Sequence, residues 1–568
     1  MIVLGIHDSQ DSGAALFVDG RIVAAVNEER LNRVKLWGGV PVESIRSVLR
    51  QGGIEPGEVE VVVLGTRITP NVLARAFRDM HQPLRRWNGQ FRYILNLFIT
   101  YQIAARTLRL PEMAEAAAAR AVMARDLRSI GLHARLVSAD HHHAHAAGAW
   151  ATSNLDRALV VTVDGLGDGL SVTVSVGDRR DGLKRIHAEP AWSDLTLYYS
   201  RLTEILGFTA IRDEGKVNAL AAHDTKCPAY DVARGLLSQN DGCFSARNPL
   251  APAWPDRGPY APLSKFTREE IASSFQKNLE DVMRDFLRVW LKRTDTSAVA
   301  LAGGLFANVK LNQRIAAMDE VDKVWVFPHM GDGGLAVGGA LAWLGASPCP
   351  MPDAFLGPSY TDEEIRTALD SEQVPWTRPD NIERAVARLL ADGRVVARFD
   401  GRMEFGPRAL GNRSILVQAT DPTTIEWLNA RLKRNPIMPF APVIHEDHFD
   451  DCIIGGHKAP DSSRYMTIAF DVTEWMKRES PGAVHVDGTA RPQKVTRAHT
   501  PGLARILEEY HRLTALPCLI NTSFNMHEEP IVCSPRDAIE AFRRANLDAM
   551  AIGPFLVEAP SSNREGVE

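Results

Sequence analysis

No two cysteines in this chain are spaced as CxxC. The six lie scattered at Cys227, Cys243, Cys349, Cys452, Cys518 and Cys533, which indicates neither a zinc ribbon nor a disulfide framework. A reducing, cytoplasmic setting is the expectation. Long apolar runs are also missing. The most lipid-like stretch, 94–105, is interrupted by Asn96, Thr100 and Gln102; it is too short to span a bilayer and reads as a buried helix. The N-terminus opens directly on Ile2-Val3-Leu4-Gly5-Ile6, without a basic segment leading into an apolar one, so neither export nor a membrane partner is expected. There is no basic tract. The net charge is −5, from 65 Lys+Arg and 70 Asp+Glu, and no nucleic-acid partner is expected. What remains is 45% hydrophobic and 24% charged over 568 residues, an ordinary globular balance and enough chain for two or three domains.

Imidazole and carboxylate are concentrated where metal chemistry would want them. The run Asp140-His141-His142-His143-Ala144-His145 puts His141 and His145 four apart, on one face of a helix, with Cβ atoms about 5–6 Å apart. Asp164, in Val163-Asp164-Gly165-Leu166-Gly167-Asp168-Gly169, and Asp332, in His329-Met330-Gly331-Asp332-Gly333-Gly334, are placed to complete the shell from strand-end loops. Two nitrogens and carboxylate oxygens suit a divalent first-row ion.

An internal repeat is visible. Strand 2–6, an acidic loop with Asp8 and Asp11, and a hairpin turning at Asp19-Gly20 are echoed by strand 158–163, the acidic glycine loop 164–169 and the alternating run 170–178. Asp-Gly between two apolar runs is a hairpin signal. The pattern is that of duplicated ATP-binding folds of the actin type. Between the copies, 112–130 reads as amphipathic helix. Further on, 298–308 reads as a buried strand entering a Gly303-Gly304 turn and then a helix; glycines there let backbone N–H groups approach phosphate at a helix N-terminus. Gly338-Gly339 reads as tight helix packing. A Pro/Gly-rich linker at 347–358 separates a second domain starting near Thr361, with helices at 361–369 and 382–390 and a strand at 395–399. Four of its loops, 404–414, 431–442, 486–493 and 520–525, couple Arg, Lys, Asn or Ser to Gly or Pro, a donor set suited to a small anion such as a phosphate ester.

In order along nearly the whole chain stand DHHHAHAA, VDGLGDG, EGKVNALAAHD, GGLFANVKLNQRI, GDGGLAVGGAL, EFGPRALGNRSI, MPFAP, DGTARPQ and NTSFNMHEEPIVCSP. This series resembles the NodU/CmcH-type O-carbamoyltransferases, which form carbamate esters on antibiotics and nodulation factors. The resemblance implies an α/β and α+β architecture: a duplicated actin-like (ASKHA) N-terminal domain over 1–350, handling ATP and metal, and a YrdC-like C-terminal domain over 361–568, handling carbamoyl phosphate. It implies ATP and carbamoyl phosphate as co-substrates, with carbamate and carbamoyl-adenylate between them and AMP, pyrophosphate and phosphate released. The cofactor implied is a divalent metal, iron or Mg/Mn, on His141, His145, Asp164 and Asp332. Gly303, Gly304, Asn308, Lys216 and Lys35 are the implied nucleotide contacts; Lys433, Arg434, Arg491, Asn521 and Ser523 the implied carbamoyl phosphate contacts, with Arg408 and Arg413 behind them. The expected partners are a small-molecule alcohol as acceptor and a second copy in a homodimer.

The chain departs from the family in its first acidic loop, where Gln10 stands in place of a histidine near the acceptor. His7 and Asp8 are the nearby candidates for catalysis, and Asp8 or a histidine of the 140s run for the general base. His142 and His143 are open between supporting and structural roles. Around MPFAP the usual Lys and acidic positions are shifted, with Leu432 and Asn435 there. One rival reading is a tRNA-modifying threonylcarbamoyl transferase, which shares the metal motif but lacks the fused second half. A hydrogenase-maturation carbamoyltransferase would need paired CxxC motifs and an acylphosphatase domain, both absent. A sugar kinase of actin-like fold would release ADP rather than AMP.

Overall fold

The computed structural model describes residues 1–76, 91–108, 110–247, 258–433 and 437–559. Contacts group it into two compact units, one of Met1–Glu29 and Leu36–Met351, the other of Arg30–Lys35 and Pro352–Glu568.

Among the described residues the first unit carries twelve strands: β1 (Ile2–His7), β2 (Gly13–Val18), β3 (Arg21–Asn27), β4 (Val61–Leu64), β5 (Arg135–Ser138), β6 (Arg157–Gly167), β7 (Leu170–Asp178), β8 (Gly182–Pro190), β9 (Leu237–Asn240), β10 (Cys243–Ala246), β11 (Ala298–Ala302) and β12 (Lys323–Val326). Two five-stranded sheets have the orders β3-β2-β1-β4-β5 and β8-β7-β6-β11-β12. In each, three strands run antiparallel and two more add in parallel beside the first. The same order built twice is the duplicated actin-like fold. The sequence pattern accounts for it. β4 and β11, Val-Val-Val-Leu and Ala-Val-Ala-Leu-Ala, are parallel strands with neighbours on both sides and are buried almost throughout, so they read as unbroken apolar runs. The three-stranded halves turn at Asp19-Gly20 and Asp168-Gly169, where both residues of each pair take positive φ, the backbone a two-residue hairpin turn requires.

Helices Leu335–Trp343 and His141–Thr152 pack on each other, the first also lying on β1, the second on β6 and β11. The approach is close enough to demand missing side chains. A Cβ on Gly338 would sit 2.3 Å from the Ala144 carbonyl oxygen, and one on Gly5 1.9 Å from that of Ala336. This fixes the histidine helix relative to the glycine turns. Stretch 94–105 lies in helix Phe91–Leu108, and 112–130 falls mostly in helix Leu110–Arg128. The part of the first helix whose side chains are described alternates buried Gln102 and Ala105 with exposed neighbours, a surface pattern rather than full burial.

The second unit is built on a seven-stranded sheet. Its strands are β13 (Val396–Phe399), β14 (Arg413–Val417), β15 (Ala441–His445), the short β16 (Ile453–Ile454), β17 (Phe470–Val472) and β18 (Thr489–Ala490), then β19 (Gln493–Val495), β20 (Cys518–Ser523), β21 (Ala549–Ile552) and β22 (Phe555–Glu558). The large sheet runs β19-β15-β20-β14-β13-β21-β22, and β16-β17-β18 form a separate one. Helices Ile382–Ala391 and Pro501–Thr514 bury Val386, Leu390, Leu507 and Tyr510 against Val396 and Leu416. Thr361 starts helix Asp362–Ser371 with a capping box to Glu364, the arrangement that stops fraying of its first turn. Among the described residues, no helix is long and apolar enough to cross a membrane.

Candidate active site

His141, His145, Asp164 and Asp332 each bring one ligand-type atom to within 4.8 Å of the others. His145 Nε2 lies 2.8 Å and His141 Nε2 3.2 Å from Asp164 Oδ2; the same nitrogens are 3.5 and 3.6 Å from Asp332 Oδ1. Asp164 belongs to β6 itself rather than to a loop beyond it. The β6–β7 register breaks between Val163 and Gly167, and that irregularity turns the carboxylate inward, as bulges beside active sites do.

The electrostatics call for a cation. Burial works against ionising Asp164, yet hydrogen bonds to the two imidazoles hold its carboxyl well below the usual range. Burial and the Asp164 charge push Asp332 well above it. Two carboxylates so close cannot both ionise without a positive charge between them, and Asp332 Oδ1 has no hydrogen-bond donor among the described residues. Mixed imidazole and carboxylate donors at this spacing fit a divalent first-row metal.

Two further carboxylates hold the histidine helix in place. Asp140 caps it through the His143 N–H at 2.9 Å and takes Arg185 and Arg106 at 2.5 and 2.9 Å. Burial opposes its charge, but the two arginines keep it well below the ordinary carboxylate range. Asp168 accepts backbone N–H groups of Arg67, Ile68, Thr69 and His141, the closest to each at 2.8–3.1 Å. It thereby ties β7's turn to the start of the helix. The second Asp of VDGLGDG was the available signal for this role. His142 turns away, its Nδ1 2.8 Å from Thr162 Oγ1, and burial keeps its imidazole neutral; its role is packing on β6.

The remaining first-unit candidates divide. Gly304 donates its N–H to Asp164 Oδ1 at 3.1 Å. Gly303 has φ 102°, and a Cβ there would stand 2.1 Å from the Val163 carbonyl oxygen, so the turn closes directly over the metal strand. Asn308 is heavily committed: its Oδ1 caps helix Val309–Ala316 through the Leu311 N–H and accepts from Asn218, while its Nδ2 donates to Gln276. Lys216 pairs with Asp213 at 2.9 Å. Lys35 groups with the second unit, where neighbouring Arg33 donates to the carbonyls of Pro530 and Ile531.

The catalytic candidates His7 and Asp8 are both buried. Arg75 holds both oxygens of Asp8, at 2.7 and 3.0 Å, in a buried bidentate pair. His7 is fully buried, its Nε2 3.9 Å from Asp332 Oδ2. Burial pulls its imidazole down to about 3, so it is neutral and weakly basic, a spacer beside the quartet.

In the second unit a cavity of about 170 Å³ is lined by Arg408, Arg491, Asn521, Thr522, Ser523, Asn525 and His527, with Leu432 and Phe440 among its apolar walls. This is smaller than the roughly 300–1,000 Å³ of pockets for drug-sized ligands and fits a small ester. Arg491, Asn521 and Ser523 are among its lining residues. Lys433 is exposed and absent from the lining; the wall runs through Leu432 instead. Arg434 lies outside the described residues.

The two arginines of the 404–414 loop have opposite roles. Arg413 is fully buried, donates to the carbonyls of Asp400, Asn412, Pro358 and Gly401, and stacks 3.7 Å over Phe399; it is structural. Arg408 faces the cavity with Nε buried and unbonded among the described residues, and burial lowers its guanidinium to about 10. Glu404 sets this loop by accepting the N–H groups of Leu410, Asn412 and Arg413. Asn525 and His527, which sequence reasoning missed, sit in the motif that supplies Asn521 and Ser523.

The comparisons with known proteins follow the same division. The family description "Carbamoyltransferase N-terminus" matches residues 2–230 and 260–341, and "Carbamoyltransferase C-terminus" matches 387–559. The chain is 28% identical to the uncharacterized protein MJ1051 of Methanocaldococcus jannaschii, over 98% of this chain and 99% of that one. It is 29% identical to nodulation protein NolNO of Sinorhizobium fredii, over 98% and 80%, and 33% identical to nodulation protein NolO of Bradyrhizobium diazoefficiens, over 74% and 78%. Matched in both halves, with a metal-type quartet in one and a basic cavity in the other, the chain belongs to the carbamoyltransferase family.

Proposed function

We propose that this chain is an ATP-dependent O-carbamoyltransferase acting on a hydroxyl of a small natural product. Carbamoyl phosphate loses phosphate to water in the second unit, giving carbamate. Carbamate oxygen then attacks the α-phosphate of ATP and pyrophosphate leaves. The acceptor oxygen attacks the carbonyl of carbamoyl-adenylate; the C–O bond of the carbamate ester forms, AMP departs and the hydroxyl proton passes to a base. Activation is needed because resonance makes carbamate a poor acyl donor.

Each demand has residues suited to it. Arg408 and Arg491 supply fixed positive charge for the phosphate, with Asn521, Ser523 and Asn525 for the remaining oxygens and the amide. Carbamate and triphosphate repel each other, so charge neutralisation dominates the second barrier. His141, His145, Asp164 and Asp332 would hold a divalent ion, iron or Mg/Mn, which when bound supplies positive charge for phosphate oxygens. The Gly303-Gly304 turn gives ATP a close approach, and Asn218, Gln276 and Asn308 form the polar wall behind it. The observation that carries the reading is the convergence of two imidazoles and two distant carboxylates on one strand bulge.

The test is product analysis with ATP, carbamoyl phosphate and a panel of sugar, aminoglycoside and macrolide alcohols. AMP and pyrophosphate, together with an acceptor heavier by one CONH replacing hydrogen on oxygen as CONH₂, support the reading. ADP release, or turnover requiring tRNA, overturns it.

A further inference from the structure

The first unit gathers a second set of metal-type side chains, at the junction of β8 with the β9–β10 hairpin. His187, Glu189 and Cys243 bring one nitrogen, one oxygen and one sulfur to within 4.8 Å of one another. His187 and Glu189 are two apart on β8, so they share a face of the strand. Cys243 opens β10 directly after the Asp241-Gly242 turn.

The surroundings orient all three. The Phe244 N–H donates to the buried Glu189 carboxylate at 3.1 and 3.2 Å, which docks the hairpin on β8 beside the thiol. His187 Nε2 is 3.1 Å from Glu189 Oε1, and its ring packs 4.8 Å from that of Trp290. The Trp290 indole N–H donates to the Gly242 carbonyl at 3.0 Å, fixing the turn before Cys243. Outer contacts of this kind, setting the ring plane and carboxylate of a ligand trio, are what metal sites rely on. The nitrogen and carboxylate are partly or fully covered while Cys243 is exposed, so the trio has an entry from solvent.

We propose that His187 Nε2, Glu189 and Cys243 Sγ bind zinc, with solvent as the fourth ligand. Zn–N, Zn–O and Zn–S lengths of about 2.0–2.3 Å put tetrahedral ligand atoms roughly 3.4–3.7 Å apart; the His187–Glu189 pair, at 3.1 Å, would open slightly, and all three atoms already lie within 4.8 Å of one another. A thiolate, an imidazole and a carboxylate select zinc and its neighbours in the first row over magnesium or calcium. Binding exchanges the Cys243 thiol proton for the S–Zn bond; no electrons move. The bound ion would clamp the β9–β10 hairpin to β8.

Cobalt(II) titration of the full chain under reducing conditions tests this. The His141 quartet contains no sulfur, so a thiolate-to-cobalt charge-transfer band in the near ultraviolet distinguishes the second site from the quartet. A band saturating at one equivalent, lost in Cys243→Ser and weakened at least tenfold in affinity in His187→Ala, supports the proposal. Zinc should also raise the melting temperature of the parent chain more than that of Cys243→Ser. No band, a band that survives Cys243→Ser, or one untouched by His187→Ala overturns it, the last showing adventitious binding to an exposed thiol.

Discussion

His145 Nε2 lies 2.8 Å from Oδ2 of Asp164. The other oxygen of that carboxylate accepts the N–H groups of Gly165 and Gly304, at 2.8 and 3.1 Å. One side chain thus links the histidine helix to the glycine turn over which a nucleotide would lie. Displacing either partner disturbs both, and this link makes the division of labour between the units testable.

His145→Ala should abolish ATP-dependent pyrophosphate release while leaving phosphate release from carbamoyl phosphate intact. A loss of about 10²–10³ in rate is expected for removing one electrostatic contributor, and a chelator should reproduce it in the parent chain. If both half-reactions fall together, the quartet does not serve the nucleotide step alone.

Arg408→Ala should invert that pattern. A guanidinium lowered by burial, with no ion pair among the described residues, is poised for an anion, and its loss should raise the KM for carbamoyl phosphate at least tenfold. Arg408→Lys keeps the charge without the planar fork and should recover only part of the affinity. Unchanged KM in Arg408→Ala would mean that the phosphate binds elsewhere.

These tests rest partly on what sequence made legible. The i, i+4 histidines and the Gly303-Gly304 turn were readable because helix and strand periodicities are local. The repeat was readable because the same strand–loop–hairpin chemistry occurs twice, at 2–26 and 157–178. Asp8 was not readable as an ion-pair partner, because Arg75 reaches it from 67 residues away. Arg408 and Arg413 are identical in composition and five apart, and only the packing of Phe399 under Arg413 separates the structural one from the cavity-facing one. The His187, Glu189 and Cys243 set was invisible for the same reason: a hairpin docked on β8 brings together residues more than fifty positions apart.

Asp168→Asn should destabilise the first unit by about 2–3 kcal/mol. Its two oxygens accept four backbone N–H groups, and the amide replaces one acceptor with a donor facing donors. Denaturant unfolding and limited proteolysis around residues 66–70 and 140–145 would check this. Wild-type stability and protection would show that the loop is held by other contacts.

Asp194 offers a stability test beside the metal-type quartet, whose Asp164 charge adds to burial in raising its carboxyl. It caps helix Leu195–Ile205, Oδ1 accepting from the Thr196 N–H and hydroxyl and the Leu197 N–H, while Oδ2 is buried with no partner among the described residues. Burial pushes its carboxyl from 3.8 to about 7. The native state therefore keeps a proton that the unfolded chain releases between about pH 4 and 7, and stability is lost as pH rises through that window and levels off above it. Asn does not titrate and remains a good cap. The stability of Asp194→Asn relative to the parent should rise by about 2–3 kcal/mol from pH 5 to pH 8, read from denaturant midpoints at both pH values. A difference that does not change with pH would mean that this carboxyl ionises in the native state as it does in water.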